Sequence, residues 1–208
     1  MQIAIGLFPE FTSLDAMGPY QVLQYLPDSE VIFCAEQTGM LRDDYGALNI
    51  EIRHTFDDVP RPDILLVPGG DITRQLAVAG NPIVEWIRAA HPHTTWTTSV
   101  CTGALLLGAA GGLAGRPATT HWCAYTELAS FGAHPTEQRV VFDGKVVTGA
   151  GVSAGIDMAL ALVAEIAGPT TAQGIQLGIE YDPQPPFDTG APSKAPPALL
   201  EALTQNLA

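Results

Sequence analysis

Apolar and polar positions along this chain switch repeatedly between short continuous apolar runs and helical spacing. Residues 2–7 form a short apolar strand, and Thr12 or Ser13 caps a helix carried by Met17, Val22 and Leu26. Residues 29–35, rich in β-branched and aromatic side chains, make a second strand. Weak alternation over residues 42–52 marks a small hairpin or an edge excursion. Ile64–Val67 is apolar throughout and is stopped by Pro68-Gly69-Gly70, the pattern of a central parallel strand buried on both faces. Pro82–Ala90 is a helix with proline in its first turn, followed by a strand over residues 94–100 and a helix over residues 102–110. Residues 122–130 are predicted helical, residues 139–143 and 145–148 flank an Asp143-Gly144 turn, and residues 156–167 form a long apolar helix closed by Gly168-Pro169. Such alternation predicts an α/β fold with a mostly parallel sheet covered on both faces, and ligands at the carboxyl ends of its strands.

From Tyr181 the composition shifts to a proline-rich arm, ending in a short predicted helix over residues 198–207. No linker divides the 208 residues, so residues 1–208 are expected to form a single domain. The 22 acidic against 9 basic residues leave a net charge of −13, which repels phosphate backbones and anionic membranes. No apolar run reaches the length of a membrane-spanning helix, and no signal peptide opens the chain, so the expectation is a soluble cytoplasmic protein. Cys34, Cys101 and Cys123 do not make a disulfide framework, and the five histidines have no zinc-ligand spacing, so neither metal nor cofactor is expected.

The chemistry concentrates at strand ends. Cys101, in Ser99-Val100-Cys101-Thr102-Gly103, lies between a strand and a helix, as on a nucleophile elbow. A helix N-terminus and free amides there favour a thiolate, so Cys101 is expected to titrate below ordinary cysteine and to be the first thiol oxidised. Cys34 in mid-strand and Cys123 beside Trp122 read as packing residues. Gly69 and Gly70 let the backbone approach a ligand, and with the Thr102 amide they form an oxyanion-type site. Asp15, just after the first strand, is either a helix cap or a carboxyl group that exchanges a proton at Cys101. For that second role burial must raise its pKa. His121, in Thr119-Thr120-His121-Trp122, is equally readable as a cleft residue or a structural one.

Taken together, Leu14-Asp15 with Gly18-Pro19, Val67-Pro68-Gly69-Gly70, Val100-Cys101-Thr102-Gly103, Ala118-Thr119-Thr120-His121-Trp122 and Gly151-Val152-Ser153-Ala154-Gly155-Ile156-Asp157 resemble the DJ-1/PfpI superfamily. The likeness runs from Met1 to about Ser193. It implies a flavodoxin-like three-layer sandwich, Cys101 at the elbow and a homodimer. Within that superfamily the chain is most similar to the isonitrile hydratases, which add water to R–N≡C to give an N-substituted formamide. The resemblance implies Cys101 as nucleophile, Asp15 as acid and base, Thr102 as an essential neighbour, Gly70 as a binding amide, and a small-molecule substrate. The glycine-rich stretch around Ala150 reads as either a packing turn or a hinge for the helix that follows. Sensor domains of AraC-type regulators share these motifs, so a non-catalytic small-molecule or redox sensor is the alternative. A third is another cysteine-dependent enzyme, hydrolytic or glyoxalase-like.

Overall fold

In the computed structural model, which describes residues 1–207, the strands in chain order are β1 (Gln2–Gly6), β2 (Glu30–Ala35), β3 (Gly39–Arg42), β4 (Asn49–Ile52), β5 (His54–Thr55), β6 (Ile64–Val67), β7 (Trp96–Val100), β8 (Pro117–Ala118), β9 (His134–Pro135), β10 (Val140–Asp143) and β11 (Val146–Gly149). The helices are α1 (Ser13–Leu23), α2 (Thr73–Leu76), α3 (Pro82–Ala90), α4 (Gly103–Ala109), α5 (Tyr125–Ser130), α6 (Ala154–Ala167), α7 (Pro169–Gly178) and α8 (Pro197–Leu207). Seven strands join one sheet in the order β10-β11-β7-β6-β1-β2-β5, parallel throughout except for β10 against β11. The chain leaves β1 toward β2 on one side and later returns to place β6 on the other. Strand order therefore reverses at β1, which opens a crevice at the carboxyl ends of β1, β6 and β7.

Helices cover both faces, giving the expected three-layer α/β sandwich. α1, α6 and α7 pack together in one layer, and α3 and α4 pack together in the other. Ile3, Ile5 and all four residues of β6 are completely buried, as a doubly covered parallel sheet requires. Trp86 of α3 lies so close over β1 that a side chain at Gly6 would meet its ring at 2.4 Å. The same indole stacks on Phe56 and donates from Nε1 to the Val59 carbonyl at 2.8 Å. On the opposite layer, Gly155 faces Pro19 and Val100, letting α6 approach both α1 and β7.

The hairpin expected over residues 42–52 exists as β3–β4, a separate two-stranded sheet beside the start of α1. The helix expected over residues 122–130 is broken into a 3₁₀ turn, Trp122–Ala124, and α5. α7 has no counterpart in the hydrophobic pattern because only Ala172 and Ile175 of it are buried; its support comes from α6.

Candidate active site

Four separate pieces of chain meet at the crevice. β7 ends at Val100, and Cys101 turns the chain into α4 with a left-handed φ of 58°. A side chain in that conformation costs about 1–2 kcal/mol, so the neighbours must hold it there. Several do. The Cys101 amide donates to the Gly149 and Ala150 carbonyls at 3.1 and 2.9 Å, and the Cys101 carbonyl accepts from Thr120 Oγ1 at 2.8 Å. At Gly103 a Cβ would meet the Val67 carbonyl oxygen at 2.4 Å, so only glycine lets α4 start this close to β6.

Asp15 reaches the same place from α1 and is fully buried. Pro19, four residues on, has no N–H to return to the Asp15 carbonyl, so this turn of α1 lacks its usual helical bond. The side chain is anchored by one oxygen only: Oδ2 accepts from the Gly69 amide at 2.9 Å. Oδ1 is buried without a hydrogen-bond partner, the only carboxylate oxygen so placed among the described residues. Gly69 is what makes the convergence possible. A Cβ there would sit 2.7 Å from Asp15 Oδ2, from the Thr102 amide nitrogen and from Thr102 Oγ1. Thr102 Oγ1 in turn accepts from the Gly70 amide at 3.1 Å and faces the Gly70 carbonyl at 3.2 Å as donor. The Gly70 N–H is thus committed to Thr102 in this state, while the Thr102 and Val152 amides donate toward the Cys101 sulfur.

The electrostatics follow from burial. Asp15 is raised from 3.8 to about 7, chiefly because its charge would be desolvated, with the Asp44 carboxylate adding to the rise; the Gly69 amide and the Cys101 thiol oppose it. This matches the direction that proton exchange requires. Cys101 goes the other way from the sequence expectation. Only 6% exposed, it is pushed above the ordinary thiol range, first by desolvation and then by the Asp15 charge, which outweigh the Val152 and Thr102 amides. Elbow geometry was legible in the sequence; the depth of the thiol was not.

His121 stands at the rim. Its ring packs on Gly151, where a Cβ would meet Cδ2 at 2.5 Å, and its Nδ1 contacts Cys123 Sγ at 2.9 Å. Burial and the Arg74 charge hold its pKa below the usual histidine range. Cys123, expected as a buried packing residue, is half-buried. Sequence reading missed the Val152 amide, which lies in the glycine-rich turn with φ 32°, and the Thr120 hydroxyl that ties down the elbow. Among the described residues no group of His, Cys, Asp and Glu is arranged to hold a metal ion.

The chain is similar to several known proteins. Isonitrile hydratase of Pseudomonas putida is 43% identical over 201 residues, covering 97% of this chain and 87% of that protein. The crystal structure of a THiJ/PfpI family protein from Pseudomonas syringae superposes with a TM-score of 0.95 at 38% identity, over 99% of this chain and 85% of that one. The HTH-type transcriptional regulator CdhR of Pseudomonas aeruginosa is 31% identical over 131 residues, 61% of this chain and 38% of that protein. The DJ-1/PfpI family pattern matches residues 1–165. On sequence and fold alike, the chain belongs to the DJ-1/PfpI family.

Proposed function

We propose that this protein is an isonitrile hydratase, adding water to an organic isocyanide to release an N-substituted formamide. The observation that carries the reading is a fully buried Asp15 whose carboxyl group acts on the Cys101 thiol, in a chain 43% identical to an isonitrile hydratase. The terminal carbon of R–N≡C must accept a nucleophile and a proton together. A thiol and a carboxylate that share one proton supply both.

With Asp15 near 7 and the thiol above its ordinary range, the pair holds one proton above about pH 7, and that proton rests on sulfur. Asp15 takes it as the S–C bond forms and passes it to the same carbon, giving the thioimidate R–N=CH–S–Cys101. Water then adds to this carbon; Asp15 relays one water proton to nitrogen, leaving R–NH–CH(OH)–S–Cys101. Collapse breaks the C–S bond, and the hydroxyl proton returns through Asp15 to sulfur, so R–NH–CHO leaves and the pair again holds one proton. The Thr102 and Val152 amides donate to sulfur as it departs. The Gly69 amide, donating to Oδ2, holds the Asp15 carboxyl group in place for this relay.

The test is purified protein with cyclohexyl isocyanide, following loss of the N≡C stretch and appearance of the formamide by NMR. Turnover that disappears in Cys101→Ala supports the reading; an intact protein inert to alkyl and aryl isocyanides overturns it. The working unit in this reading is a cytoplasmic homodimer of single-domain chains. Leu14 on α1 and Met40, Tyr45 and Leu48 within the β3–β4 hairpin support the pairing, because each is an exposed large apolar side chain. Light scattering that gives the mass of one chain at micromolar concentration would exclude the dimer.

A further inference from the structure

A second thiol has a base within reach, and the hydration chemistry does not use it. Cys123 Sγ lies 2.9 Å from His121 Nδ1 and 3.7 Å from an Arg74 guanidinium nitrogen. His121 is held toward its neutral form by burial and by Arg74, so Nδ1 is available to accept a proton. The guanidinium is fixed by Glu127, whose Oε1 accepts from Arg74 Nε at 2.8 Å. Asp71 is the other charge acting on the imidazole, and Glu137 is the charged residue lining the neighbouring cavity.

Cys123 also borders a space large enough to receive a molecule. Cys123 lines a cavity of about 420 Å³ between the 3₁₀ turn and the C-terminal arm, together with Trp122, Tyr125, Pro192 and Leu200. That volume suits a small organic ligand, and its walls are largely aromatic and aliphatic. A peroxide would need no such space. An uncharged carbon electrophile would fill it.

We propose that Cys123 is a second reactive thiol, with His121 as its base, that adds covalently to α,β-unsaturated carbonyl compounds admitted to the cavity beneath the C-terminal arm. His121 Nδ1 takes the thiol proton as sulfur bonds to the β-carbon. The alkene electron pair moves to the α-carbon, which takes the proton back from His121, so the adduct forms without a leaving group or an oxidant. Arg74 stabilises the negative charge that develops on sulfur during the step.

N-ethylmaleimide is the probe, used on full-length Cys101→Ala protein so that the elbow thiol cannot contribute, with peptide mapping by mass spectrometry. At pH 6.5 the reagent should add once, at Cys123. The rate should be at least roughly tenfold above that of a synthetic peptide spanning residues 119–127, which has the same histidine and cysteine but not their geometry. His121→Gln should slow labelling by at least about tenfold toward the peptide rate, and Arg74→Gln should slow it by a smaller factor. Labelling at or below the peptide rate overturns the proposal, as does an unchanged rate in a folded His121→Gln protein. If His121→Gln does not fold, Arg74→Gln and the peptide comparison decide alone: a rate untouched by Arg74→Gln, or no faster than the peptide, refutes it.

Discussion

Cys101 and Cys123 are two thiols with opposite surroundings. Cys101 is 6% exposed, sits in strained backbone, and has a buried carboxyl group for a partner. Cys123 is half-buried in a relaxed 3₁₀ turn and has an imidazole for a partner. A carboxylate beside a buried thiol makes the two compete for one proton, which suits a reaction that must hand a proton to carbon and recover it. An imidazole beside a half-buried thiol takes the proton only as the sulfur bonds to carbon, which suits one-way trapping of an electrophile. A strand-to-helix elbow therefore does not by itself make a thiolate. The charge and the burial of its neighbours set the sign.

The two thiols should part most clearly at Asp15. Asp15→Asn keeps the shape and removes the proton relay, so isocyanide turnover should fall ~10²–10⁴-fold while maleimide labelling of Cys123 stays unchanged. Near-wild-type turnover would remove Asp15 from the chemistry and turn attention to His121. Gly69→Ala is the next largest effect. Its Cβ would press on Asp15 and Thr102 at 2.7 Å, and displacement of that order should cost roughly 10²-fold in kcat with the sheet intact. A Gly69→Ala enzyme of normal kcat would show that the convergence of Asp15 and Thr102 is dispensable.

Acidity separates the carboxyl-paired thiol further. The doubly protonated pair has no base to free the thiol, so kcat/KM should fall by about tenfold per pH unit below about pH 7 and level off above it. A flat profile between pH 5.5 and 8 would contradict the shared proton. Stability should carry the same signature. A carboxyl group raised by folding leaves the native state holding more protons than the unfolded chain between about pH 4 and 7, so wild-type stability drops as pH rises through that window. Asp15→Asn lacks this slope. Its melting temperature should exceed wild type at pH 8 and approach it at pH 4; a rise from 3.8 to about 7 corresponds to a difference on the order of 4 kcal/mol. Differential scanning at the two pH values measures it, and equal melting temperatures at pH 8 would show that Asp15 burial is not costly.

Much of this arrangement is legible in the chain itself. Pro82–Ala90 is helical as the pattern predicts, and Ile64–Val67 is the buried strand that its apolar run and following glycines announce. The elbow is readable because a cysteine between a strand and a small-residue helix start stands where a sharp turn presents a nucleophile. Asp15, Gly69–Gly70 and Thr102 do meet at Cys101, and it is the resemblance to a family rather than any local spacing that ties segments so far apart. The direction of the Cys101 shift is not legible, because it depends on burial and on Asp15 and the Val152 turn arriving beside the thiol from distant segments, and no local pattern encodes that depth. Cys123 is illegible for the complementary reason: its guanidinium neighbour, Arg74, comes from a distant segment, and the cavity beside it from the C-terminal arm.

The bond between Gly69 and Asp15 joins residues 54 apart in sequence, that between Gly70 and Thr102 residues 32 apart, and that between Thr120 and Cys101 residues 19 apart. Nothing local holds these groups together, so a chain still being synthesised has the thiol and the carboxyl group long before it has a site. Non-local contacts of this kind form late because loop closure must come first. In a refolding time course, catalytic competence should return with the final assembly of the central strands, after the helices have gained their signal in circular dichroism. Until then Cys101 is an ordinary thiol in an open chain, and exposed to whatever electrophiles surround it.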